Sequence, residues 1–157
     1  MKKTIEDFLA QKKLAIAGAS PNKDNFGKYL MQELLKNGKE VYPVNPGYQE
    51  IEGTPCVGNV RELPADVESL ILAVPPSLTD EIVEQALGSG IRRIWMIQGV
   101  GRGAYSEGAH QKCRDNNIEV VHGLCPMMLF GKGMHRFHFW FRKTFGKLPG
   151  EYQLSRE

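Results

Sequence analysis

At 157 residues the chain is long enough for one packed domain and too short for two sizeable ones, with 41% hydrophobic residues to build its core. Its 20 basic and 18 acidic residues leave a net charge of +2, which argues against a dedicated nucleic-acid binder. The opening MKKTIEDFLA lacks the apolar stretch of a signal peptide, and no window approaches the ~20 apolar residues of a membrane span, so a cytoplasmic protein with no membrane partner is expected.

Three cysteines, Cys56, Cys113 and Cys125, are odd in number and widely spaced. They form neither a CxxC pair nor a zinc-ligand spacing, so reduced thiols are expected.

The first element is a buried strand over 13–17 (KLAIA), which ends at Gly18. A turn-rich loop, GASPNKDNFG, leads to a helix over 28–37 with Leu30, Leu34 and Leu35 on one face and Gly38 as its stop. A second strand covers 40–44, closed by Asn45-Pro46-Gly47. The stretch from Tyr48 to Pro64 is broken by Gly53, Pro55, Gly58 and Pro64, with a short helix expected near 59–63.

The third strand, 69–74 (SLILAV), stops at Pro75-Pro76. Ser77 reads as the N-cap of a helix over 78–87 that carries Ile82, Val83, Ala86 and Leu87 at helical spacing. A fourth strand over 93–97 runs into the loop GVGRGA. A polar helix over 105–116 and a fifth strand over 118–121 follow.

Strands alternating with single helices, in runs apolar on both faces, predict an α/β fold. The sheet is expected to be a single Rossmann-like, doubly wound parallel sheet of about five strands with helices on both faces. Residues 1–130 form this domain. Residues 131–157 form an aromatic and basic helix or arm, holding six basic residues against two acidic ones. Such a tail suits base stacking or a membrane surface in principle. The reading preferred here is a helix that buries Phe137, Trp140 and Phe141 on the sheet or on a second subunit, with a homodimer possible.

The chemistry concentrates in the first loop. In open α/β sheets ligands sit outside the carboxyl ends of the strands, where strand order reverses. A helix N-terminus there offers free N–H groups and a positive dipole end to phosphate. Gly18 permits a sharp turn, Ala19 and Ser20 permit close approach, and Gly27 opens the second wall. The GxGxxG pattern is incomplete, so a tight turn without ligand is the competing reading. A dinucleotide fold would usually end strand two in Asp or Glu to hold a ribose. Val44-Asn45-Pro46 has no acid, which disfavours NAD.

These segments, AIAGASPNKDNFGKYLMQELLKNGKEVYPVNP, LILAVPPSLTDEIVEQALGSGIRRIWMIQGV and VVHGLCP, resemble the stand-alone CoA-binding domain family. They are also similar, more distantly, to the N-terminal domain of the succinyl-CoA synthetase alpha subunit. The resemblance spans 12–126. It implies that Gly18, Ala19, Ser20, Phe26 and Gly27 cradle coenzyme A phosphates and that Asn45 and Pro46 lie against the nucleotide. It also implies that Val74, Pro75, Pro76, Gln98 and Gly99 line the pantetheine side. The synthetase carries a Lys soon after its second-strand turn. Here GYQEIEG has none, and Lys23 or Lys28 is expected to meet the phosphates instead. The synthetase's phosphorylated His belongs to parts with no counterpart in these segments.

Of the histidines, His122 lies three residues before Cys125 at the end of the fifth strand. A Cys–His pair can be nucleophilic, but neighbouring positions at a strand end diverge, and a packing role for Cys125 is preferred. His110 is expected to be solvated. His135 and His138 lack a third metal ligand. The expectation is a non-catalytic protein that binds coenzyme A, free or acylated, as its small-molecule nucleotide cofactor. An enzyme using Cys125 or His122 on a bound acyl-CoA or nucleotide is one alternative, and an NAD or adenine-nucleotide sensor another.

Overall fold

Residues 1–98 and 103–130 are described in a computed structural model of the chain. The expected arm at 131–157 and Gly99 lie outside the described residues. The chain runs through α1 (Lys2–Ala10), β1 (Lys13–Ala17), α2 (Phe26–Lys36), β2 (Glu40–Val44), β3 (Glu50–Ile51) and β4 (Thr54–Pro55). A 3-10 turn (Val60–Glu62), β5 (Ser69–Leu72), α3 (Pro76–Ala86), β6 (Arg93–Met96), α4 (Glu107–Asp115), β7 (Glu119–Val121) and α5 (Met127–Phe130) follow.

The five long strands pair in parallel in the order β2-β1-β5-β6-β7. This is the Rossmann-like α/β sheet expected. Alternate residues enter opposite cores. Leu14, Ile16, Ile71, Trp95 and Val121 pack with α1 and α2 on one face, where Phe8 meets Trp95 edge-on at 5.4 Å. Ala15, Ala17, Leu70, Leu72, Ile94 and Met96 pack with α3 and α4 on the other. Both faces being dry explains why the strands read as unbroken apolar runs.

Several elements differ from the sequence reading. Helix α1 was not anticipated, although Thr4, Ile5 and Phe8 are buried at helical spacing. α2 begins at Phe26 rather than Lys28, because Asn25 caps it. In α2 the buried set is Gly27, Leu30, Met31 and Leu34, while Leu35 is exposed. Ser77 is not a cap. Pro75 holds that position in extended conformation, and Pro76, whose fixed φ suits a first helical residue, starts α3 two residues earlier than the apolar spacing suggested.

Strand order reverses between β1 and β5, since one leads outward to β2 and the other to β6. The register aligns Ala17 with Val44 on one side and Leu72 on the other. Gly18, Asn45 and Ala73 therefore leave the sheet at one level, at the edge where such folds open a crevice.

Candidate functional site

The β1–α2 loop is built on backbone contacts that admit no side chain at two positions. Gly18 has φ +100, in the region glycine occupies without strain, and an ideal Cβ there would stand 2.6 Å from the Ala73 carbonyl carbon and 2.9 Å from a Val74 methyl. A Cβ on Gly27 would stand 2.7 Å from the Gly18 oxygen and 2.8 Å from the Ala19 nitrogen. Helix α2 is thus packed directly on the loop it follows, the role of the last glycine in nucleotide-binding loops, reached here with a longer insert.

Asn25, which the sequence reading did not single out, organises the loop; an Asn just before a helix is the cap signal that could have marked it. Its Oδ1 accepts from the Ser20 amide at 3.1 Å and the Lys28 amide at 2.7 Å, and its Nδ2 donates to the Gly18 carbonyl at 3.1 Å. The amides of Phe26 and Gly27 belong to the first-turn set that no helix satisfies internally. Ser20 is only 8% exposed, and its buried Oγ has no hydrogen-bond partner. A buried hydroxyl without a partner costs stability, so its place beside a helix N-terminus is a feature to be explained.

The expected cations differ. Lys23 is exposed on the loop. Lys28 folds back instead: its Nζ donates to the Pro21 carbonyl at 3.2 Å and lies 3.8 Å from Glu52, with the side chain only 13% exposed.

Asn45 is turned inward. Its Nδ2 donates to the Ala19 carbonyl at 3.0 Å and its Oδ1 accepts from the Gly47 amide at 2.9 Å, so the side chain ties the β2 exit to the β1 loop. Pro46 is exposed beside it. Below this turn the Cys56 thiol donates to the Asn45 carbonyl at 3.6 Å. Burial pushes its pKa up, against a smaller lowering by that bond.

On the β5 side Val74 and Pro76 are half-buried and Pro75 exposed, and α3 starts there without a side-chain cap. Two helix N-termini, of α2 and α3, therefore meet the carboxyl edge on either side of the reversal, each with a positive dipole end. Phe26 and Leu78, 42% and 46% exposed, give that edge apolar surface. Gln98 is exposed past β6, its amide donating to the Leu124 carbonyl at 3.3 Å.

His122 and Cys125 do not share a side of the sheet. Cys125 packs against the core under α1 and α2. The His122 ring lies 5.0 Å from the rings of both Tyr105 and His110, and the Tyr105 hydroxyl is 3.3 Å from His110 Nδ1. The structure thus brings His110 to His122, a neighbour the sequence did not suggest. Among the described residues no group of three or more His, Cys, Asp and Glu side chains is placed to hold a metal, and no helix is long and apolar enough to cross a membrane.

A family model described as CoA binding domain matches residues 12–131, the whole of this sheet and its carboxyl-edge loops. The chain belongs to that family. Among curated proteins this CoA-binding domain is 33% identical over 117 residues to ADP-forming acetate–CoA ligase I of Archaeoglobus fulgidus, covering 74% of the chain but 17% of the ligase. The chain thus spans under a fifth of that relative's length. It also matches YneT of Bacillus subtilis, 23% identical over 79% of the chain and 90% of YneT. Among solved structures, a protein from Pyrococcus horikoshii OT3 is 34% identical with a TM-score of 0.73, over 80% of this chain and 86% of that one. An acetyl-coenzyme A synthetase of Ca. Korarchaeum cryptofilum shares the fold at TM-score 0.65 and 23% identity, over 74% of this chain and 26% of its own.

Proposed function

We propose that this domain binds coenzyme A at the carboxyl edge between β1 and β5, with its phosphates on the Gly18–Gly27 loop and the N-terminus of α2. The observation that carries this reading is Ser20: a hydroxyl more than nine-tenths buried in that loop, without a protein partner, matches the need of a phosphate or ribose oxygen. Gly18, Ala19 and Gly27 let the loop and α2 pack backbone against backbone, which sets the loop's shape for phosphate, and Phe26 offers a face to the adenine. Asn45 acts indirectly, by fixing the loop, with Pro46 beside it. Lys23 and Lys28 supply the positive charge. Val74, Pro75, Pro76 and Gln98 line the pantetheine side.

NAD fits this site poorly. The β2 exit offers no carboxylate to a ribose, and the Asn45 side chain is already committed to Ala19 and Gly47. The chain acts as a binding module for free or acylated coenzyme A, and chemistry on the thioester is not assigned to it.

Titration calorimetry of the full chain with coenzyme A, 3′-dephospho-coenzyme A and NAD tests the reading. A charge-assisted bond contributes roughly 1.5–3 kcal/mol, so coenzyme A should bind about ten- to a hundredfold tighter than the dephospho form. Equal affinities, or a preference for NAD, overturn it.

A further inference from the structure

The cation best placed in the loop is already occupied. The Lys28 ammonium, on a side chain largely withdrawn from water, lies 3.8 Å from the Glu52 carboxylate. Glu52 is held there by a rigid element. With Gly53 it forms the two-residue tip of the β3–β4 hairpin, and φ of 51° and 77° mark the primed turn that matches strand twist. Ile51 beside it is fully buried in the α1–α2 core. Behind the tip, Cys56 N donates to Gln49 O at 2.8 Å within the hairpin, and the chain that follows is fastened to β2 and its exit by Val57 N to Pro43 O at 3.0 Å and Asn45 N to Val57 O at 2.9 Å. The carboxylate is thus presented to Lys28 by backbone pinned to the sheet.

We propose that Glu52 is a specificity-determining residue, a resident anion that competes with the ligand's phosphate for Lys28. The inference rests on the coenzyme A reading above and deepens it. Two anions at one ammonium repel each other, and a phosphate that takes Lys28 must either displace the carboxylate or tolerate it. The hairpin therefore weakens every phosphate-bearing ligand and lets only those with further contacts along the cleft bind. A ligand of low charge suffers no such penalty.

The test is calorimetry of coenzyme A with the full chain, Glu52→Gln, Lys28→Met and the double variant. Removing the carboxylate should tighten coenzyme A binding about two- to fivefold, the range of a partly exposed ion pair. The gain should shrink with added salt and vanish in the Lys28→Met background. Unchanged or weaker binding in Glu52→Gln, or an equal gain without Lys28, overturns the role of Glu52 while leaving the coenzyme A site standing. Absence of coenzyme A binding in both the wild-type chain and Glu52→Gln overturns the parent reading, and this inference with it.

Discussion

The Ala73 carbonyl lies against Gly18 so closely that a Cβ on Gly18 would stand 2.6 Å from its carbon, at the one place where β1 and β5 leave the sheet together. Gly18 is therefore a packing residue before it is a ligand residue. Gly18→Ala combines that overlap with a φ of +100, which side chains rarely adopt. We expect it to destabilise the chain by about 2–3 kcal/mol, lowering the melting midpoint by roughly 5–10 °C. Calorimetric melting checks this, and an unchanged midpoint contradicts the packing. Loss of ligand in a Gly18 variant is consequently no measure of a phosphate contact.

Asn25 separates the same two effects. Asn25→Ala removes the α2 cap and both ties across the loop, and should cost about 1–2 kcal/mol in urea unfolding together with coenzyme A affinity. Asn25→Asp keeps the acceptor for Ser20 and Lys28 and suits the helix dipole, but it loses the donor to the Gly18 carbonyl, so its stability should fall by about 1 kcal/mol. Its new negative charge stands where phosphate is expected, and coenzyme A binding should fall steeply. An Asp variant that binds coenzyme A as the wild type does places the phosphates elsewhere.

Fold class was legible because both faces of the sheet are buried, so apolar runs such as LILAV mark strands without ambiguity. Gly18 was marked by its place at the end of the first strand, while Asn45 and Val74 entered as site residues through the family resemblance; the strand order that brings all three to one edge is not visible in chain order. Contacts made by long-range folding were not legible. Nothing local marks Asn45 as reaching Ala19, 26 residues away in sequence, or Lys28 as meeting Glu52. Nor does spacing bring His110 to His122, because that depends on how α4 lies over β7. α1 was missed for a different reason: its apolar residues are few and its sequence polar, and its burial of Phe8 against Trp95 is set by tertiary packing.

The alkaline limb of stability should carry a cysteine signature. Cys113 is buried on the inner face of α4, and burial pushes its thiol pKa up to about 11. The unfolded thiol ionises near pH 8.5–9, so the unfolded state alone gains by losing the proton between pH 9 and 11. The contribution is thus complete below about pH 9 and lost as pH rises toward 11, on the order of 2 kcal/mol. Tyr42, raised by its hydrogen bond to Glu40, acts in the same direction. Lys39, lowered by burial, acts in the opposite one. Urea midpoints across this range in wild type and Cys113→Ala isolate the thiol, and the variant should decline less steeply. Parallel curves would show that Cys113 does not titrate with folding.

Ser20 gives the sharpest separation of fold from function, because its two effects have opposite signs. In the ligand-free chain its buried Oγ meets no protein partner, and such a group costs roughly 1–3 kcal/mol relative to its hydrated state. Ser20→Ala removes that cost while keeping the small side chain that fits beneath α2, and should raise stability by about 1 kcal/mol. The same change deletes a hydrogen bond to the bound ligand. Where the acceptor is an ionised phosphate, coenzyme A affinity should drop about tenfold. Paired urea unfolding and calorimetry on one protein read both quantities. A stabilised variant that binds ten times more weakly is the pattern of a hydroxyl held in reserve for ligand. A destabilised variant would mean that Ser20 bonds within the protein, and a stabilised variant with full affinity would mean that the buried hydroxyl meets no ligand atom.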